Sequence, residues 1–196
     1  DALKGRPYRV FQQFESPRML SNGEFARDEH GHVQLAPTGH GDLPDALRVS
    51  GLLGAFLARG GRYVVIHNID NYRSVPDPVL LGQHIDSRRN VSVELVERLP
   101  TDVGGMPVWV NDRIELVEQF RLPPEFDPAG AMFHNTNTLA FNAEALDRTY
   151  PWTYFPVQKQ VNGQTVIQRE RLIQEMTQWL DTNYRVVHRS RFQAIK

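Results

Sequence analysis

From residue 43 the apolar positions Leu43, Leu47, Leu53, Phe56 and Leu57 recur at helical spacing, and Gly60-Gly61 end the run, which predicts a helix to about Arg59. The pattern then changes to an unbroken β-branched stretch, Val64, Val65 and Ile66, of the kind found in strands buried on both faces of a parallel sheet. Asp77 and Pro78 mark the next helix start, the carboxylate as N-cap and the proline in the first turn, running to about Arg88. "VSVELVER" (91–98) reads as a strand, and apolar stretches on either side of Asn111-Asp112 read as a hairpin. A second hairpin turns at Asn162-Gly163, the strongest short signal of its kind.

The remaining segments fill in around these. Residues 6–13 read as extended chain, leading into a polar hairpin-like stretch with "NGE" and "EHGH". "MFHNTNTLAFN" (132–142) reads as a strand with Asn142 capping a short helix, "RERLIQEMTQWLDT" (169–182) as a helix and "YRVVHRS" (184–190) as a last strand. Strands alternating with helices, with hairpins inserted, predict an α/β domain on a mixed sheet. In such sheets ligands gather beyond the carboxyl ends of the strands, which singles out the loops 39–42, 67–72 and 134–137.

Composition changes this picture little. The 196 residues suit one generous domain, and 40% hydrophobic with 23% charged residues is ordinary globular usage. A formal charge of −1 gives no field that would gather nucleic acid or a membrane surface, so neither partner is expected. With no cysteine, disulfides and thiolate chemistry drop out, which fits a cytoplasmic location. No apolar run is long enough to span a bilayer, and the start at Asp1 suggests a piece of something longer.

Candidate chemistry sits in the three loops. Asp70 follows an apolar strand, where a carboxylate meets either a cation, such as Mg²⁺ with a nucleotide's phosphates, or its own turn backbone with Asn71 helping. In "GHGD" (39–42) the plain reading is Asp42 as N-cap with glycines making the turn; the same helix start offers N–H groups to an anion, and His40, between flexible neighbours, either reaches a phosphate or is simply solvated. Asn135 and Asn137 lie two apart and so share one strand face, where paired amides suit sugar hydroxyls or, equally, neighbouring backbone. The seven histidines show no zinc spacing, and neither a Ser-His-Asp motif nor G-x-G-x-x-G is present.

The order of these motifs is more specific than any one of them. "PTGHGDLPDALRVSGLL", "HNIDN", Gly104-Gly105, "FHNTNTLAFN", "VIQRE" and "RSRFQAIK", preceded by "QQFESPR", resemble the UTP-glucose-1-phosphate uridylyltransferase (UDP-glucose pyrophosphorylase) family from end to end. The resemblance implies a nucleotidyltransferase (Rossmann-like) three-layer α/β domain with a mixed, mostly parallel sheet. It also implies that residues 1–196 are one catalytic domain, incomplete at the N-terminus, without the family's glycine-rich phosphate loop and its C-terminal β-helix domain.

Position by position, the resemblance makes Gln13 uracil-reading, lays the Gly39 backbone against the nucleotide and puts His40 on the sugar 1-phosphate. Asn68, Ile69 and Asp70 would touch substrate, with Asp70 holding Mg²⁺. Gly105, Asn135, Asn137 and Glu170 would line the hexose pocket, and Lys196 would reach the phosphates. Asp70, Lys196 and His40 then form the implied catalytic set, with UTP, glucose 1-phosphate, UDP-glucose and pyrophosphate as ligands. Departures include "VGG" without the usual lysine, "QRE" for Q-L-E and "RFQAIK" for R-F-x-P-V-K. "DNY..VPDP" leans toward the related UDP-N-acetylhexosamine enzymes, and "GHGD" toward the glucose branch. A nucleotide-sugar binding module without activity is the alternative of another class.

Overall fold

A computed structural model describes residue 5 and residues 7–195. In chain order its first regular elements are β1 (Glu15–Pro17), β2 (Leu35–Pro37), α1 (Leu43–Val49), α2 (Leu52–Ala58), β3 (Tyr63–His67) and α3 (Pro78–Ser87). They continue with β4 (Val91–Glu97), β5 (Gly105–Val110), β6 (Arg113–Glu118), β7 (Phe133–Asn142) and α4 (Ala143–Leu146). The last are β8 (Phe155–Val161), β9 (Gln164–Glu170) and β10 (Thr182–Val186). The chain divides into two compact units, Asp1–Ala58 with Pro151–Ile173, and Arg59–Tyr150 with Gln174–Lys196.

In the first unit β1 pairs antiparallel with β2, and bridges Met19↔Phe25 and Arg27↔Val33 make the stretch between them hairpin-like. Residues 7–14 form no strand; regular pairing begins only at Glu15. β8 and β9 form the hairpin expected at Asn162-Gly163, whose positive φ values of 51° and 77° are those a two-residue turn of this hand needs. The single helix expected to Arg59 is instead α1 and α2. Gly51, at φ 75°, takes the left-handed position and donates to Arg48 O, so Ser50-Gly51 ends α1 before the apolar spacing runs out.

In the second unit the sheet has the order β10-β4-β7-β3. β4 and β10 are parallel, β7 runs antiparallel to both β4 and β3, and three of the four strands therefore share one direction. Val64-Val65-Ile66 is not the doubly buried strand its β-branched run suggests. β3 closes the sheet with β7 as its one partner among the described residues, and Val65 is 39% exposed. That central place belongs to β4, buried from Val91 to Val96. Val91, Val93, Leu95, Leu139 and Phe141 are at most 2% exposed and form the core, each contributing about 1.5–3 kcal/mol by its burial.

Local signals place α3 and the β5–β6 hairpin as expected. Asp77 accepts from Val79 N at 2.9 Å, and Asn111 and Asp112 turn with φ 46° and 64°. The helix expected over 169–182 does not form: Arg169 and Glu170 end β9, and only a 3-10 turn, Ile173–Gln178, follows. Its residues Gln174, Glu175 and Thr177 are wholly buried, so tertiary partners rather than helical periodicity set the backbone; the Thr177 hydroxyl, for instance, accepts from Leu116 N.

Candidate functional site

The "GHGD" loop is sewn to the chain leaving β9. Arg171 N donates to Thr38 O at 2.7 Å, and Gly41 N to Arg171 O at 2.9 Å. A Cβ on Gly39, whose φ is 84°, would lie 2.5 Å from Arg171 O, and one on Gly41 would lie 2.5 Å from Leu172 N. Both glycines are therefore needed by backbone approach within the unit itself. Between them His40 Nδ1 accepts from Ile173 N at 3.0 Å, which leaves Nε2 as the protonated, outward nitrogen of the neutral ring. The residue reaches solvent, yet the protein crowded around its ring lowers its pKa, with the charge of Glu170 pulling the other way.

Asp42 occupies the N-cap position of α1 but caps nothing with its side chain. Its fully buried carboxylate turns back instead, its Oδ2 accepting from Phe14 N at 2.9 Å and from the Thr38 hydroxyl at 2.7 Å. Burial raises its pKa, against the pull of these donors, of Gln13 and of Arg171. Gln13 Nε2 donates to Gly39 O at 2.6 Å, so the structure brings Gln13, Gly39 and His40 together on one framework. Glu170 is half-buried, accepting from Gln168 Nε2 at 2.6 Å.

In the second unit the turn after β3 is made by Asn68, whose Oδ1 accepts from Asp70 N at 3.1 Å. The turn-capping alternative for Asp70 therefore does not describe it; its carboxylate is exposed and makes no hydrogen bond or ion pair among the described residues. Ile69 is 90% exposed. Asn71 clamps this loop to the final segment, accepting from Gln193 N and donating to Arg191 O, while Ile195 N donates to Asp70 O. Lys196 lies outside the described residues.

A second polar cluster forms where β7 passes β4. The register slips between Val93 and Leu95, and Asn137 takes φ 56° within β7, so a bulge rather than regular alternation brings its two amides together. Asn135 Nδ2 donates to Asn137 Oδ1 at 2.8 Å, and Asn137 N to Asn135 Oδ1 at 3.1 Å. Gly105 packs against them: a Cβ there would lie 3.1 Å from Glu118 Oε1 and 3.4 Å from Asn135 Nδ2. Glu118, its pKa raised by burial, accepts from Gln174. Gly105, Asn135 and Asn137 thus meet, and Glu118 joins them from β6. Nothing in "RIELVEQF" distinguished that glutamate from a solvated one.

His134 backs the same glycines, its ring 3.2 Å from where a Cβ on Gly104 would sit and edge-on to Phe192. Burial lowers its pKa to about 4. The folded state then binds its proton less readily than the unfolded chain. Stability is full above pH 6.5 and falls toward pH 4, by on the order of 3 kcal/mol from this group. Urea unfolding at pH 7 and pH 4.5 is expected to show a smaller difference for His134→Phe than for the unsubstituted chain; equal differences would contradict this.

Among the described residues no three His, Cys, Asp or Glu side chains group as a metal site, and no helix is long and apolar enough to cross a membrane.

A mixed α/β sheet with these polar loops is the architecture of the nucleotidyltransferases. Residues 4–196 match the family model described as UTP--glucose-1-phosphate uridylyltransferase, and the chain belongs to that family. A UTP--glucose-1-phosphate uridylyltransferase from Musa acuminata is 29% identical over 202 residues, covering 95% of this chain and 43% of the relative. A UDP-N-acetylglucosamine pyrophosphorylase structure from Entamoeba histolytica superposes with a TM-score of 0.82 at 22% identity, over 95% of this chain and 52% of that one, a likeness of fold. A UDP-glucose pyrophosphorylase from Leishmania major, solved in complex with UDP-glucose, gives 0.76 at 25% identity, over 93% of this chain and 45% of that one. The chain spans less than half the length of the Musa relative.

Proposed function

We propose that this chain forms the uridine- and hexose-facing part of an enzyme that makes UDP-glucose and pyrophosphate from UTP and glucose 1-phosphate. The observation that carries the reading is the meeting of Gly105 with Asn135 and Asn137, from two separate stretches of sequence, beside the Glu118 carboxylate. Paired amides beside a carboxylate supply the donors and acceptors that sugar hydroxyls need.

In this reaction a phosphate oxygen of glucose 1-phosphate attacks the α-phosphorus of UTP in line, the bond to the leaving pyrophosphate breaks, and no covalent enzyme intermediate forms. A phosphate monoester is already nucleophilic, so the protein's work is positioning and charge neutralisation. Gln13 faces the uracil and the Gly39 backbone the nucleotide, and His40, with Nδ1 occupied by Ile173 N, offers its Nε2 proton to the sugar phosphate. Asn68 and Ile69 border the substrate from the loop after β3, while Gly105, Asn135 and Asn137 hold the hexose. Asp70 would hold Mg²⁺, which when bound offsets phosphate charge, and Lys196 would do the same from the chain's end. A cytoplasmic location goes with this reading.

Titrating UDP-glucose into the chain tests it. Saturable binding is expected, weakened about tenfold by Asn135→Ala, the loss of one or two hydrogen bonds. An unchanged affinity in that variant would contradict the hexose role of these amides.

A further inference from the structure

We propose that Arg189 is a positioning residue for the hexose, holding the Gly104-Gly105 backbone beside the amides of Asn135 and Asn137 through Asp102 and Phe192. The proposal rests on the reading of Gly105, Asn135 and Asn137 as the hexose contacts.

Two successive glycines do not keep a position of their own accord; neighbours have to remove the freedom of their backbone. Gly104 stands at φ 140°, and Val103 before it is 77% exposed, so packing does not hold that residue. The anchored residue nearest on the N-terminal side is Asp102. Its Oδ2 accepts from Leu99 N at 2.8 Å and its main-chain O from Arg98 Nη2 at 2.9 Å, which closes the turn after β4. Arg189 then takes both carboxylate oxygens, Nη1 to Oδ2 and Nη2 to Oδ1, each at 2.7 Å, and Nη1 also donates to Glu97 O at 2.9 Å. The Asp102 side chain is 8% exposed, and a forked pair of this kind fixes orientation as well as distance.

The same guanidinium reaches the glycines by a second route. Arg189 Cζ lies over the Phe192 ring, 4.9 Å from its centroid, and that ring meets His134 edge-on at 5.0 Å. His134 Cε1 is in turn 3.2 Å from where a Cβ on Gly104 would stand. One side chain from the segment after β10 thus braces both the turn that leads into β5 and the rings packed on Gly104. Among the described residues Arg189 makes no hydrogen bond to Gly105, Asn135 or Asn137, so its influence runs through Asp102 and Phe192. Lysine would keep the charge but offers neither the fork for Asp102 nor a flat face for Phe192.

Titrations of UDP-glucose and of UDP, which carries the same nucleotide without the sugar, test this in the unsubstituted chain, Arg189→Lys, Asp102→Asn, the double variant and Asn135→Ala. Arg189→Lys and Asp102→Asn are each expected to lower the ratio of the two affinities about fivefold, the loss of roughly one hydrogen bond, with UDP affinity within about twofold. General loosening would weaken both ligands alike. The double variant is expected to lose no more than either single one, and additive losses would overturn the pairing of Asp102 with Arg189. An unchanged ratio in Arg189→Lys overturns the proposal when Asn135→Ala does lower it. When Asn135→Ala leaves it unchanged as well, the hexose reading falls instead. A ligand-free measurement decides independently: the amide signals of Gly104 and Gly105 are expected to shift and to exchange faster in Arg189→Lys, with that of Gly163 unmoved. Identical Gly104 and Gly105 signals in the two proteins overturn the proposal.

Discussion

Gly41→Ala is expected to destabilise the first unit by about 3 kcal/mol or more, lowering the melting temperature by roughly 6–12 °C. Its added Cβ would stand 2.5 Å from Leu172 N, 2.6 Å from Arg171 C and 2.8 Å from Arg171 Cβ. Two of these atoms are backbone and cannot swing aside, so either the loop or the chain leaving β9 must move. Movement breaks the bonds Gly41 N to Arg171 O and Arg171 N to Thr38 O, and with them the seat of His40. Gly54 is the control: it lies inside α2 with nothing within 4 Å of its missing Cβ, and Gly54→Ala is expected to be neutral or to stabilise by about 0.5–1 kcal/mol. Thermal melts of the two variants check the argument; similar losses in both would mean that close packing at the loop is not the cause.

The second large effect is on turnover. Asp70→Ala, made in the full-length gene product, is expected to lower the rate of UDP-glucose formation at least about a hundredfold while leaving stability within about 0.5 kcal/mol. The two halves of this expectation have different grounds. The fold does not use the carboxylate: Asn68 Oδ1 makes the turn, Asn71 ties it to the final segment, and Asp70 contributes only backbone groups. The reaction needs charge offset at the phosphates, and Asp70 is the exposed carboxylate at the end of β3 that would hold the cation. Initial rates of pyrophosphate release together with a thermal melt separate the halves. Near-normal turnover would remove Asp70 from the metal role.

What the sequence disclosed was mostly local. Asn162-Gly163, Asn111-Asp112 and Asp77-Pro78 carry their backbone preferences within two residues, and each turn or cap stands where those residues put it. Val64-Val65-Ile66 could not be placed the same way. A β-branched run favours a strand, but whether that strand is central or at a margin depends on partners far along the chain, here β7 alone among the described residues. The segment after Glu170 shows the converse. Leu172, Ile173, Met176 and Leu180 have helix-compatible spacing, yet Gln174 and Thr177 find hydrogen-bond partners on β6, and these hold the stretch as a 3-10 turn.

The site divides similarly. Gly39, His40, Asn135 and Asn137 stood out because glycines beside a histidine, or amides in a strand, are costly unless something needs them. Glu118 and Asp42 had ordinary excuses, a strand's outer face and a helix cap. Only the fold shows the first against Gly105 and the second turned back onto Phe14 N. The bulge at Asn137 was likewise beyond a period-two reading, which reaches the same pairing of amides by a different geometry.

The most direct measurement is the rate of pyrophosphate release by the full-length gene product supplied with UTP, Mg²⁺ and a sugar 1-phosphate. Glucose 1-phosphate is expected to support turnover, and the omission of either substrate to abolish it. A protein that binds UDP-glucose yet releases no pyrophosphate with any hexose 1-phosphate would contradict the uridylyltransferase reading and leave a binding module in its place.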